Sequence, residues 1–240
     1  MNEPVEWRDD GTPYSPRFND RYRSSAGGLA QAASVFLAGC ALPERWRGRD
    51  RFTVLETGFG LGLNFLATWA AWEADPHRCK RLQYVSIEAY PVAAGDIVRS
   101  ALAANQHNEA DSPWSAQVPA RAQDLATVWP EPSPGLHHFH FADRQVELIL
   151  AVGQVQAMLQ GLDCRADAVY LDGFSPALNP QMWSAAALQA VALHCGAGTT
   201  LATYTVAKGV REGLEQLGFR VEKWRGLPPK RHRLQAVFLP

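Results

Sequence analysis

From residue 52 onward, short apolar runs alternate with longer amphipathic stretches, and this alternation sets the expected fold. Phe52-Thr-Val-Leu-Glu56 reads as a strand, followed by a glycine turn and a helix through Trp72. Leu82 to Glu88 predicts a second strand, with a helix opening near Pro91 and reaching about Ala104. Between Asn105 and Gly135 the prolines at 113, 119, 130, 132 and 134 discourage a continuous element, so at most short helices are expected there. His137 to Phe141 and Val146 to Ala151 flank Ala142-Asp-Arg-Gln145 as a hairpin. A helix over Gln154 to Gln160 precedes the strongly apolar strand Ala168 to Leu171, which ends at Asp172. Asn179-Pro180 reads as N-cap and first-turn proline of a helix running to about His194. After a strand at Thr199 to Tyr204, Val206, Val210, Leu214 and Leu217 form a core stripe that Gly218 ends, with Lys208, Arg211, Glu212 and Glu215 outside. Arg220 to Trp224 and Leu234 to Leu239 are joined by a loop and should pair antiparallel.

This order predicts an α/β fold: a doubly wound, mostly parallel sheet with a final antiparallel strand. Residues 1–50, irregular apart from a helix at Leu29 to Leu37, are expected to pack as an N-terminal extension on a main domain of residues 51–240. A chain of 240 residues with 47% hydrophobic and 20% charged residues buries a sizeable core, which excludes disorder and miniature disulfide scaffolds. Cys40, Cys79, Cys164 and Cys195 lie far apart without C-x-x-C spacing, as expected of reduced thiols in a cytoplasmic protein. The polar N-terminus lacks an apolar signal core, and the longest apolar stretch, Leu61 to Trp72, is too short to cross a bilayer, so no membrane partner is expected.

The candidate chemistry begins at Glu56-Thr-Gly58-Phe-Gly60-Leu-Gly62, between a strand and a helix, where open α/β sheets place their ligands. A dinucleotide fingerprint would want Gly or Ala at position 63, which is Leu63. An acid followed by alternate glycines suits a ligand without a pyrophosphate, such as the cationic S-adenosylmethionine; a dinucleotide or an unliganded turn are the alternatives. Glu88, 26 positions after Gly62, ends the second strand, where a carboxylate can accept the ribose hydroxyl protons. Leu171-Asp172-Gly173-Phe174 brings a second acid to the same sheet edge. In methyl transfer to an amine, Asp172 would hold the nitrogen by accepting its N–H, and Phe174 would stack on a base or lie against the cationic donor; a loop cap and a core residue are the alternative readings. His137, His138 and His140 have no carboxylate or cysteine at ligand spacing, so no metal is expected. Trp69 and Trp72 are expected in helix packing.

The net charge of −1 conceals polarity. Residues 220–240 hold Arg220, Lys223, Arg225, Lys230, Arg231 and Arg233 against Glu222 alone, a net of +5, leaving −6 for the rest. Two further basic clusters, Arg17/Arg21/Arg23 and Arg45/Arg47/Arg49/Arg51, interleave with Tyr14, Tyr22 and Trp46. Such clusters suit phosphates and an unstacked base if they flank the crevice, and are otherwise solvated loops.

Several blocks resemble the methyltransferase domain of the MnmC-type tRNA 5-methylaminomethyl-2-thiouridine biosynthesis proteins. These are Gly11-Thr-Pro-Tyr-Ser15 with Phe18, Asp20 and Tyr22; Glu56 to Phe65; Leu171 to Ala177 with Asn179-Pro180 and Met182-Trp183; and Leu201 to Thr205 with Val210-Arg211 and Gly213-Leu214. The resemblance implies a Rossmann-like enzyme that moves a methyl group from S-adenosylmethionine to the primary amine of 5-aminomethyl-(2-thio)uridine at the wobble position of the tRNA anticodon stem-loop. It implies Asp172 and Phe174 as catalytic residues, and Glu56, Gly58, Phe59, Gly60, Gly62, Asn64, Glu88, Gln154 and Asp172 around the cofactor. Tyr22, Lys208, Lys230 and Arg231 would meet the RNA. Gly153-Gln154 replaces the family's usual Gly-Asp, so an uncharged carbonyl would face the adenine amine; Gly226-Leu-Pro-Pro-Lys-Arg231 keeps only the Lys-Arg of the usual Gly-Phe-Gly-Arg-Lys-Arg; and Lys208 replaces a small residue. Relatives often carry a fused FAD-dependent oxidase; no FAD is expected in this chain, and the oxidase partner would be separate or fused in a longer protein. Methylation of a small-molecule amine or acid, or a catalytically silent RNA-binding module, are the competing functions.

Overall fold

The computed structural model describes residues 2–23, 27–106, 112–129, 133–228 and 230–239, so Pro130, Pro132 and Pro229 fall outside the described residues. Residues 6–21 form a small antiparallel sheet of β1 (Glu6–Trp7), β2 (Pro13–Ser15) and β3 (Asp20–Arg21) in place of the irregular segment expected. Strands of two or three residues are too short to show alternation. The helix expected from Leu29 opens as α1 (Gly28–Gln31) and widens into a π-helical segment at Ala32–Leu37.

The main body follows as β4 (Arg51–Thr57), α2 (Leu63–Ala74), β5 (Arg81–Glu88), α3 (Ala94–Gln106), α4 (Val118–Val128), β6 (Gly135–Phe141), β7 (Val146–Val152), α5 (Val155–Gln160), β8 (Ala166–Leu171), α6 (Ala185–Ala192), β9 (Cys195–Thr203), α7 (Lys208–Gln216), β10 (Phe219–Arg225) and β11 (His232–Phe238). Eight strands lie in the order β10-β11-β9-β8-β4-β5-β7-β6. The central run from β9 to β7 is parallel, while β6, β10 and β11 are antiparallel to their neighbours, as the hairpin and terminal strand pair predict. After β4 the chain winds outward through β5 and β7, then crosses back to β8 and β9. The reversal leaves a crevice at the carboxyl ends of β4 and β8, the usual ligand position in such sheets.

Three expectations are corrected. The proline-rich connection holds an eleven-residue helix, α4, with Pro119 in its first turn, where a missing N–H costs no hydrogen bond. The helix predicted from Asn179 is two elements: a 3-10 turn at Pro180–Trp183, then α6, whose N-cap is Ser184, its Oγ accepting the Ala187 N–H at 3.2 Å. Val206 precedes α7 and is 40% exposed, so the buried stripe of that helix is Val210 and Leu214.

α2 is apolar around most of its circumference because it is covered on several sides. Trp69 and Trp72 are buried as expected, and Leu29, Phe36 and Trp46 from the first fifty residues share their core. The Trp46 indole donates to Asp75 Oδ2 at 2.9 Å, just beyond α2. Burial pushes the Asp75 carboxyl up, but Trp46, the His77 amide and Arg47 together hold it below the ordinary value. Trp46→Ala is expected to cost about 3–5 kcal/mol in urea unfolding. A cost under about 1 kcal/mol would show that the first fifty residues contribute little to the core.

Candidate active site

β4 delivers Glu56 and β8 delivers Asp172 to adjacent positions at the crevice floor, because Thr57 and Leu171 are register partners. The two strand ends are tied together: Thr57 Oγ1 lies 2.8 Å from Asp172 O and 3.1 Å from Asp172 N, donating to the first and accepting from the second. Asn64, on the first turns of α2, bridges the acids, its Nδ2 donating to Glu56 Oε1 at 2.9 Å and to Asp172 Oδ2 at 2.8 Å. Ser86 on β5 donates to Glu56 Oε2 at 2.7 Å, and the Gly173 N–H to Asp172 Oδ1 at 2.8 Å. Burial is the main cause of both pKa shifts. Glu56 rises to about 8, opposed by Ser86 and Asn64 and reinforced by Asp172. Asp172 rises to about 6, opposed by the Gly173 N–H, Asn64 and Lys230. Both carboxyls are thus pushed toward the protonated form, and their closeness favours a pair that keeps one proton between them.

The glycine turn crosses above this floor. Gly58 has φ +80, and a Cβ there would stand 3.0 Å from Met182 Cε and 3.1 Å from Gly173 Cα, so a side chain would be crowded and its backbone strained. Glu88 closes the third strand end: its Oε2 accepts the Gly60 N–H at 2.8 Å and its Oε1 the Tyr90 N–H at 2.9 Å. Burial raises its pKa, opposed by those backbone donors. Each oxygen retains a lone pair for a further donor.

Phe174 stands at the mouth, stacked on Phe18 at 4.6 Å and met edge-on by Tyr22 at 5.0 Å. The loop carrying it is held from three sides: Asp20 Oδ2 accepts the Ser175 N–H at 2.9 Å, Trp183 Nε1 donates to Phe174 O at 2.8 Å, and Tyr204 donates to Gly173 O at 2.8 Å. Phe18, Asp20 and Tyr22 all come from the first fifty residues, which thus supply one wall of the crevice.

Gly58, Phe59, Gly60, Asn64, Glu88, Gln154, Asp172, Phe174 and Tyr22 all line the crevice. Glu56 is fully buried behind it, and Gly62 caps α2 in the left-handed conformation against the Phe59 ring. Gln154 is exposed and precedes α5 without a side-chain capping bond. Lys208 begins α7 on the surface, 3.7 Å from Glu212, and Arg231 is exposed on the loop between β10 and β11; neither reaches the crevice. Lys230 Nζ sits 3.6 Å over the Tyr204 ring; desolvation lowers its pKa, opposed by Asp172 and Asp20. Arg21 and Arg23 line the crevice. The cluster at 45–51 is at the opposite edge of the sheet: Arg47 pairs with Asp75 at 3.0 Å, Arg49 with Asp167 at 2.6 Å, and Arg45 donates to Gly198 O. It therefore does not flank the site. Ser86 and Tyr90 are site residues that the sequence reading missed; a serine inside the otherwise apolar end of β5 was the available signal for the first.

The residues fit a cationic nucleoside: one ionised and one neutral acid at the floor, a glycine backbone open to close approach, and Glu88 with acceptor capacity to spare. Among the described residues, no group of three or more His, Cys, Asp or Glu is placed to hold a metal ion, and no helix is long and apolar enough to cross a membrane.

A carboxyl whose folded pKa is raised contributes stability that is full below its unfolded value, about 4.3, and is lost as pH rises through the folded value near 8. The melting temperature is therefore expected to fall between about pH 5.5 and 8.5, and to fall less in Glu56→Gln. Equal slopes in the two proteins would place the Glu56 pKa near its ordinary value.

Residues 116–238 match the family described as S-adenosyl-L-methionine-dependent methyltransferase. Over 240 residues the chain is similar to the tRNA 5-methylaminomethyl-2-thiouridine biosynthesis bifunctional protein MnmC of Acidovorax sp. (strain JS42), at 53% identity, covering 100% of this chain and 36% of that protein. The protein of the same name from Delftia acidovorans (strain DSM 14801 / SPH-1) is 50% identical with the same coverage. The chain spans about a third of the length of the curated relatives it matches. The crystal structure of MNMC2 from Aquifex aeolicus shares the fold, with a TM-score of 0.73 at 22% identity, covering 100% of this chain and 73% of that one. By its sheet order, its crevice and this match over half its length, the chain belongs to the S-adenosyl-L-methionine-dependent methyltransferase family.

Proposed function

We propose that this protein transfers a methyl group from S-adenosylmethionine to the primary amine of 5-aminomethyl-(2-thio)uridine at the tRNA wobble position, giving 5-methylaminomethyl-(2-thio)uridine. The observation that carries the reading is the partly buried Asp172 carboxylate, anchored by Asn64 and the Gly173 N–H beneath an aromatic mouth with Arg21 and Arg23 on its wall. Relatives named for the biosynthesis of this nucleoside, at 50–53% identity over the whole chain, support it. In those relatives the remaining length would hold the FAD-dependent oxidase that prepares the amine, which makes such a unit the expected companion.

When bound, S-adenosylmethionine supplies an electrophilic methyl carbon, so that the N–C bond forms as the C–S bond breaks and one amine proton is released. Glu88 would accept the ribose hydroxyls, the Gly58–Gly60 backbone would lie against the ligand, and Gln154 would face the adenine. Asp172 accepts an N–H of the substrate amine and fixes its lone pair in line with the methyl group. Its charge favours the amine over water at the floor, while Phe174, Phe18 and Tyr22 receive the uracil ring and exclude solvent. Glu56 holds Asn64, which holds Asp172.

The direct assay uses labelled S-adenosylmethionine with tRNA bearing 5-aminomethyluridine; label in the wobble nucleoside is expected, and no transfer at any enzyme concentration refutes the proposal. Activity on tRNA should fall steeply with salt, whereas a small-molecule methyltransferase would be insensitive. Asp172→Asn should lower kcat by about 100-fold or more with the KM for tRNA changed by less than about threefold. Wild-type turnover would confine Asp172 to the fold. Glu88→Ala should weaken S-adenosylmethionine binding about tenfold to a hundredfold by calorimetry, and unchanged binding would remove Glu88 from the cofactor site.

A further inference from the structure

The crevice runs along three neighbouring strand ends: Gln154 follows β7, Glu88 ends β5, and the Gly58–Gly60 turn follows β4. Where α1 meets the start of α2, its wall continues through Arg23, Gly28, Gln31 and Leu63, a stretch to which none of the cofactor contacts above belongs. Arg23 is only 9% exposed, which is uncommon for an arginine. A Cβ on Gly28 would stand 3.1 Å from Arg23 Cδ and 3.7 Å from Arg23 Cβ, and closer still to Leu63 Cδ1. The aliphatic stem of Arg23 therefore lies against α1 in space that a glycine leaves open. Its neighbour is fixed as well: Tyr22 donates its N–H to Pro13 O at 3.0 Å, and its Cδ1 lies 3.5 Å from where a Cβ on Gly60 would stand. That places Arg23 next in sequence to the residue lying over the glycine turn. Asp10, within electrostatic reach of Arg21 and Arg23, is exposed and accepts the Thr12 N–H at 2.9 Å.

S-adenosylmethionine brings one anionic group to a site otherwise built for its positive charges, the α-carboxylate of its methionine end. Beside Glu56, Asp172 or Glu88 that carboxylate would be repelled. Among the described residues that line the crevice, only Arg21 and Arg23 are cationic. Arg21 is exposed at the rim, where an RNA phosphate would meet it, whereas Arg23 is buried in the wall with its stem packed. A guanidinium offers five N–H donors in a fixed fork, and a carboxylate takes two of them in parallel, so Arg23 can hold one alongside its other contacts.

We propose that Arg23 is the receptor for the α-carboxylate of S-adenosylmethionine. The inference rests on the cofactor half of the reading above and is independent of the tRNA half. Adenine at Gln154, ribose at Glu88 and carboxylate at Arg23 then fix the ligand at three separated points, which leaves the sulfonium methyl between them facing Asp172. Only binding occurs at Arg23; no bond is made or broken there.

The test is calorimetry of the 240-residue protein without tRNA, using S-adenosylmethionine and its decarboxylated analogue, which keeps the amine and the sulfonium and lacks the carboxylate. Wild type should bind the analogue about tenfold to a hundredfold more weakly than S-adenosylmethionine. Arg23→Ala should lose about the same factor for S-adenosylmethionine, with its affinity for the analogue within about threefold of wild type, so that the preference disappears. Arg23→Lys keeps the charge without the fork and should fall between the two. Equal binding of both ligands by wild type overturns the proposal, and needs no variant to fold. So does Arg23→Ala that retains the wild-type preference, or that weakens both ligands by the same factor, which would make Arg23 a structural residue. A protein that discriminates the carboxylate through Arg23 yet methylates no tRNA would refute the proposed substrate and leave this site standing.

Discussion

Two neighbouring acids sharing one amide, Glu56 buried and Asp172 open to the crevice, set the terms for the rest of the site. β4 and β8 are neighbours because the chain reverses its winding there, and Glu56 and Asp172 are consequently brought together at their ends. Two ionised carboxylates in that buried space would repel each other, so one keeps its proton. Asn64 fixes the arrangement by donating to both, and Ser86 and the Gly173 N–H complete the acceptors' needs. Of the two, Asp172 is the acid that opens into the crevice. Glu56 thus shapes the site without lining it.

The second constraint is the wall supplied from the first fifty residues. Trp46 locks that segment to Asp75, Asp20 latches onto the Ser175 amide, and Phe18 and Tyr22 meet Phe174. Sheet and extension therefore divide the work. The sheet edge provides acids and glycine backbone, and the extension provides aromatic surface. Basic residues converge on the same edge from both ends of the chain, through Arg21 and Arg23 on one side and the end of the β10–β11 hairpin on the other.

Much of this was legible in the residues themselves. Alternating apolar runs gave the strand order its parallel core, and Glu56, the alternate glycines, Glu88 and Asp172 each stood at a strand end, so one topology brought them together. The failures have local causes. Pro119 has the chemistry of a breaker but occupies a first turn, and Asn179 has the chemistry of an N-cap although Ser184 performs that role. The arginines at 45–51 looked like an RNA patch because spacing cannot reveal that Asp75 and Asp167 neutralise two of them at the far edge of the sheet. Lys208 and Arg231, which the resemblance sets against RNA, are exposed at the start of α7 and on the β10–β11 loop, outside the crevice. Ser86 was missed because its partner is 30 residues away in sequence.

The shared-charge account of the floor is tested most directly by following the two carboxyls themselves in a carbon-13 NMR pH titration of protein labelled at Asp and Glu side chains. Glu56→Gln and Asp172→Asn assign the signals. The account predicts titrations near pH 8 for Glu56 and near pH 6 for Asp172, with both displaced in Asn64→Ala. Two carboxyls titrating together near their ordinary values of about 4, and indifferent to Asn64, would contradict it.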